Sequence, residues 1–219
     1  GNSLNQTAVS LLNRIGYSSF YETLQSLDLI NFPHLGPEHY GLGMVIGNPE
    51  VTLVQLASSY AALARGGLFI PAKSFINDKN TMGRRVYSEE ASYILTDMLS
   101  DPSARNITFG DFFNQKLPFK VALKTGTSTN YRDGWIVGYT PQHTIAIWVG
   151  NFNGQPTAGM SGAQATAPIL IDILNELYPN GFSSPFPKPE GVVSSEVCSY
   201  SGMKPNKFCP HIKRELFIN

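Results

Sequence analysis

Phe119-Lys-Val-Ala-Leu-Lys124-Thr125-Gly126-Thr127 is an apolar strand pattern that closes on a cation, a hydroxyl and a glycine. After a short polar turn the period-two pattern resumes, which predicts three β segments over about 119–127, 133–140 and 143–151. The last two are joined by a tight turn at Thr140-Pro141-Gln142-His143. Gly126 leaves backbone uncovered beside Lys124 and Thr125. A substrate strand lying along that edge would meet the ammonium and the Thr125 hydroxyl with its carboxylate, while backbone amides donate to a developing oxyanion. The competing reading is an edge strand whose charge discourages aggregation.

Helical spacing surrounds these strands. Ala8, Val9, Leu11, Leu12 and Ile15 share one face of a helix over residues 5–15 that stops at Gly16, so Ser3 and Asn5 sit where the chain enters it. Ser19-Phe-Tyr-Glu22 reads as a capping box opening a second helix to about Leu27, and Thr52-Leu-Val-Gln55 as another, for a buried helix ended by Gly66-Gly67. Between them, Pro33, Gly36, Pro37, Gly41, Gly43, Gly47 and Pro49 mark a loop. Leu68-Phe69-Ile70 and Ser74-Phe75-Ile76 read as short strands, Ser88 caps a helix to about Ser100, and residues 101–117 carry no firm pattern. Gln164 to Tyr178 returns to helical spacing, and after Pro179 the chain reads as irregular. Helices before and after an antiparallel sheet predict an α+β fold, an α/β/α sandwich with helices on both faces.

A chain of 219 residues with 42% apolar content fits one domain or one and a half, with a sizeable core. Charged residues are 15% of the chain, and 16 basic groups balance 16 acidic ones. Nucleic-acid binding would need a basic stripe, so no nucleic-acid partner is expected. His34, His39, His143 and His211 are scattered without ligand spacing, so neither a metal nor another cofactor is expected. Gly41-Leu-Gly43 lacks the strand and helix of a dinucleotide site, and no Gly-x-Ser-x-Gly elbow is present. Cys198 and Cys209 lie close together in a proline-rich tail and could pair in an oxidising compartment; the alternative is two free thiols.

Ser3-Leu4-Asn5, followed much later by Lys124-Thr125-Gly126, is the order of two motifs of penicillin-recognising serine acyltransferases. Further segments fall into line: Glu50 to Ala57, Tyr60 to Gly67, Lys124 to Ser128, Arg132-Asp-Gly-Trp135 and Val137-Gly-Tyr-Thr-Pro141. Together they resemble the transpeptidase domain of bifunctional (class A) penicillin-binding proteins over roughly residues 3–210. The tail, with Val197-Cys198, Ser201-Gly202 and Cys209-Pro210, looks most like the one-C type. Family order places the nucleophilic Ser-x-x-Lys before Ser-x-Asn, and this chain begins too late to hold it. Its one Ser-x-x-Lys, Ser201-Gly-Met-Lys204, follows Lys-Thr-Gly in a segment without helical periodicity. The expectation is a fragment without its catalytic serine and inactive alone. Residues 1–182 would be the C-terminal portion of the transpeptidase domain, and 183–219 an irregular linker toward a further domain.

The resemblance assigns roles residue by residue. Ser3 would carry a proton to the leaving group, Asn5 would bond the substrate amide, and Lys124 would set the field around both. Thr125 would donate to the substrate carboxylate, Gly126 would leave room for the peptide, and the Thr127 N–H would form half of the oxyanion hole. For Ser3 and Asn5 simple helix capping is the alternative, compatible with catalysis. Ser128-Thr-Asn130 also matches Ser-x-Asn but has no helix to present it, while Arg132, Asp133 and Trp135 read as supporting residues. The implied activity is a peptidoglycan D,D-transpeptidase that cross-links stem peptides and is the target of β-lactam antibiotics. The resemblance adds an upstream glycosyltransferase domain and an N-terminal membrane anchor, with the enzyme on the outer, periplasmic face of the bacterial cytoplasmic membrane. Two other readings stay open: a serine β-lactamase or β-lactam sensor, and a non-catalytic peptidoglycan-binding module. The irregular tail and Arg132-Asp-Gly-Trp135 favour the transpeptidase over the first. A Ser-x-x-Lys upstream of Gly1 would separate both enzymatic readings from the third.

Overall fold

The computed structural model describes residues 3–78, 81–103, 117–181 and 184–219. Most of the patternless stretch 101–117 lies outside them, as does the domain boundary expected at 182 and 183. A central antiparallel sheet is built from β3 (Ala122–Thr127), β4 (Asp133–Tyr139) and β5 (Thr144–Gly150), in the order β3-β4-β5. Around it, in chain order, are α1 (Asn5–Ile15), α2 (Tyr17–Gln25), α3 (Gly36–Tyr40), α4 (Leu53–Ala64), β1 (Leu68–Phe69), β2 (Arg84–Arg85), α5 (Glu89–Ser100), α6 (Gly162–Leu177), β6 (Val192–Cys198) and β7 (Ile212–Ile218).

Alternation along the strands decides which helix each face receives. Leu123, Ile136 and Ile147 form one apolar cluster with Ala167, Leu170, Ile171 and Leu174 of α6. On the opposite face Ala122 and Tyr139 pack with Leu99 of α5 and Tyr60, Leu63 and Ala64 of α4. The sheet therefore has helices on both faces, as α+β patterning predicts. Tyr139 is fully buried there, its hydroxyl 3.0 Å from Thr96 Oγ1.

Helix α4 starts with the reciprocal bonds of its capping box, Gln55 N–H to Thr52 Oγ1 at 3.2 Å and Thr52 N–H to Gln55 Oε1 at 2.9 Å. It ends where the Gly67 N–H reaches back to the Ala62 carbonyl at 2.7 Å. Gly67 has φ +93° and a Cβ there would stand 2.2 Å from the Tyr87 carbonyl oxygen, so both conformation and space require glycine.

Four local expectations differ from the structure. Helix α2 begins at Tyr17, directly after Gly16, so Ser19 lies in its first turn instead of capping it. The segment 33–47, expected as a loop, winds into α3 and two short 3-10 turns. Residues 74–76 form no strand, because Asp78 Oδ2 accepts the Ser74 and Phe75 N–H groups at 3.0 and 2.9 Å and closes a turn. The partner of β1 is the dipeptide Arg84–Arg85. Finally, the tail expected to be irregular carries the hairpin β6–β7, registered from Val192↔Ile218 to Cys198↔Ile212. Ser194, Ser195 and Glu196 are exposed and interrupt the apolar alternation, so the period-two signal is erased in a strand that buries only its ends. Phe186, ahead of the hairpin, packs edge-on against Tyr139 at 5.8 Å.

Candidate functional site

Strand β3 is the edge of the sheet, with no strand on its outer side among the described residues. Its end is tied to β4 by the Ser128 N–H, which donates to the Asp133 carbonyl at 3.0 Å. Successive backbone groups of a strand alternate sides, so the Thr127 and Thr125 N–H groups face the open edge. That edge can take an extended peptide by strand addition.

Lys124 shares its face with Ala122 and pairs across the ladder with Val137. Its Nζ donates to the Ser3 Oγ and, at 2.8 Å, to the Thr125 carbonyl. The Ser3 contact spans 121 residues of sequence. Ser3 has a left-handed backbone, φ 53°, uncommon for a residue with a side chain. Burial holds the Lys124 pKa below its ordinary 10.5, because desolvation penalises the ammonium. A partly buried amine bonded to a hydroxyl is suited to proton relay and to holding an anionic group.

Asn5 is the first residue of α1, two positions beyond Ser3, and is exposed. The helix is preceded by Leu4 with no side-chain cap, so Ser3 and Asn5 are not engaged as N-cap residues. Thr125 and Thr127 lie on the opposite face of β3 from Lys124, the face covered by α6. The Thr127 hydroxyl accepts the Gly162 N–H at 2.8 Å, anchoring the first residue of α6 to the edge strand. From the sequence only the Thr127 backbone carries a role, and helical spacing begins at Gln164, two residues after the start of α6 at Gly162. The signal for the true start was Ser161-Gly-Ala-Gln164, a second capping box. At Gly126 an added Cβ would lie 3.4 Å from the Trp135 Cβ. Among the described residues no atom comes closer than ordinary van der Waals contact with a side chain there.

Cys198 and Cys209 are joined as a disulfide with Cα atoms 5.7 Å apart, closing the loop between β6 and β7. Ser201 and Lys204 lie exposed in that loop and on no helix. Among the described residues no helix is long and apolar enough to cross a membrane.

Residues 1–175 match the family described as penicillin binding protein transpeptidase domain, and residues 188–219 the one described as penicillin-binding protein 1A, C-terminal domain. Penicillin-binding protein 1A of Clostridium perfringens is 28% identical over 94% of this chain, which corresponds to 26% of that protein. Penicillin-binding protein 1C of Escherichia coli is 28% identical over 90% of this chain and 25% of its own length. The chain thus spans about a quarter of these relatives. Among solved structures, penicillin-binding protein 1A from Haemophilus influenzae superposes with a TM-score of 0.77 at 17% identity, over 99% of this chain and 39% of that one. The TP domain of Burkholderia pseudomallei penicillin-binding protein 3 gives 0.62 at 19% identity, over 84% of this chain and 63% of that one. The sequence match across residues 1–175 places this chain in the family of penicillin-binding protein transpeptidase domains.

Proposed function

We propose that this chain is part of a peptidoglycan D,D-transpeptidase, which moves an acyl group between stem peptides and is acylated by β-lactams. The observation that carries the reading is the bond between Lys124 and Ser3, which joins the family's two motifs across the sheet edge. Ser3 passes the proton to the leaving amine, and Asn5 holds the substrate amide. Lys124 supplies positive field, strengthened by burial, to Ser3 and to the substrate carboxylate. Thr125 donates to that carboxylate from the edge, Gly126 leaves room for the peptide, and the Thr127 N–H provides half of the oxyanion hole. The serine nucleophile and the second oxyanion donor belong to a Ser-x-x-Lys segment preceding Ser3, so the present chain alone is inactive. The longer protein works on the periplasmic face of the cytoplasmic membrane, with an N-terminal anchor and a glycosyltransferase domain.

Labelled penicillin and intact-mass measurement test this. The longer protein should gain one adduct and its Lys124→Ala form almost none, while the 219-residue chain stays unmodified. An unmodified longer protein would remove the transpeptidase reading; an adduct on the chain alone would point to another nucleophile, with Ser201 the first to map.

A further inference from the structure

Asp133 begins β4 one residue before Gly134, the partner of Thr127, and three of its groups hold Ser128 at the end of the Lys124-Thr125-Gly126-Thr127 strand. Its Oδ2 accepts the Ser128 hydroxyl at 2.7 Å, its N–H donates to the same Ser128 Oγ at 2.9 Å, and its carbonyl accepts the Ser128 N–H at 3.0 Å. Its Oδ1 accepts the Trp148 indole N–H at 2.9 Å, which brings in β5. Ser128 is thus gripped through backbone and side chain by one residue, which is fixed in turn to a third strand.

The turn between Ser128 and Asp133 has a reason to need such a clasp. Asn130 and Tyr131 are consecutive non-glycine residues in the left-handed region, at φ 59° and 56°. Single residues visit that region at a cost, and two in succession persist only where the surroundings over-determine them. The far side of the turn is held by Thr157, whose N–H and Oγ1 both donate to the Tyr131 carbonyl, at 2.8 and 2.7 Å. Thr127 lies between this clasp and its own anchor on Gly162. The direction of its N–H, out over the open edge, follows from Ser128 pointing inward.

We infer that Asp133, acting through Ser128, is a positioning residue that aims the Thr127 N–H at the developing oxyanion. It touches no substrate. The inference rests on the proposed transpeptidase reading, and it goes further by separating binding from chemistry. Charge on the substrate oxygen grows only as the acyl bond forms, so misdirecting the donor slows acylation without weakening the preceding encounter.

The test is the acylation of the longer protein by a chromogenic β-lactam under single-turnover conditions, which resolves the non-covalent dissociation constant from the acylation rate constant. Removing an oxyanion donor outright costs about 100-fold to 1000-fold, and a misaimed donor should cost part of that. Asp133→Ala should lower the rate constant about 10-fold to 100-fold while the dissociation constant stays within about twofold. Asp133→Asn retains an acceptor for Trp148 but disturbs the proton order at Ser128, and should fall between Asp133→Ala and the wild type. Ser128→Ala should behave like Asp133→Ala, whereas Ser128→Thr keeps the hydroxyl and should restore most of the rate. A purely structural role would lower the thermal midpoint in step with the rate and would show no rescue by threonine. Should Asp133→Ala be acylated at the wild-type rate, the clasp is overturned and the transpeptidase reading survives. A wild type that takes no acyl group overturns both.

Discussion

Gly162→Ala should destabilise the protein by about 1–3.5 kcal/mol, through a clash at the join between α6 and the edge strand. A Cβ on Gly162 would stand 1.9 Å from the Gly126 carbonyl oxygen, 2.9 Å from its carbon and 3.0 Å from Thr127 Oγ1. Two of these atoms are backbone of a strand hydrogen-bonded to its neighbour, so they cannot swing aside as a side-chain tip would. The helix start must retreat by more than about 1 Å, at an overpacking cost of about 1–3 kcal/mol. Retreat also stretches the Gly162–Thr127 bond, now 2.8 Å, whose loss is worth about 1 kcal/mol. Replacing glycine within a helix returns about 0.5–1 kcal/mol. For a chain of this length each kcal/mol moves the midpoint by about 2–4 °C, so thermal unfolding followed by circular dichroism should show a drop of about 2–14 °C. Gly159→Ala is the control: φ is +78° there but no atom of the described residues lies within 4 Å of the added Cβ, so only backbone strain of about 1–2 kcal/mol is expected. A Gly162→Ala midpoint within about 1 °C of wild type would refute the reasoning. So would amide shifts at Gly126 and Thr127 no larger than those in β5.

The folded pKa of Lys124 lies below 10.5, so the unfolded chain binds more protons between the two values and stability should rise with pH across that interval. Lys124→Met should flatten this rise in a series of thermal midpoints, and equal slopes would contradict it. Ser161→Ala removes the cap on α6, whose Oγ accepts the Gln164 N–H at 3.3 Å, and should cost about 1 kcal/mol in denaturant unfolding. Reducing Cys198–Cys209 releases a loop with a sequence separation of 11, worth about 3 kcal/mol in the chain-entropy picture. Hydrogen exchange should accelerate over residues 192–218 and stay unchanged in β3 to β5; faster exchange throughout would show that the hairpin is integral to the domain.

The central sheet was legible because its packing writes itself into the sequence. A strand held between two helix layers buries side chains on both faces, and the runs ending in Lys124-Thr-Gly-Thr127, Tyr139 and Gly150 show it within a residue or three of their true ends. Helices α1, α4 and α5 were legible from apolar spacing and from Gly16, Thr52, Gly66-Gly67 and Ser88, whose effects reach only a few residues along the chain. The hairpin β6–β7 was not, since strands exposed along their middle need no alternating pattern. The pairing of β1 with two arginines left no apolar signature either.

Sequence alone thus determined the residue types and local elements of the candidate site, including Ser3, Asn5 and Lys124 and the glycine between two threonines. Their arrangement was decided in three dimensions. That Lys124 reaches Ser3, that Thr127 anchors α6 instead of offering a free hydroxyl, and that Asp133 grips Ser128 while holding Trp148 all depend on strand register and on which face a helix covers. Local propensity acts over neighbours a few positions apart, whereas a contact spanning 121 residues exists only once the whole sheet has chosen its partners.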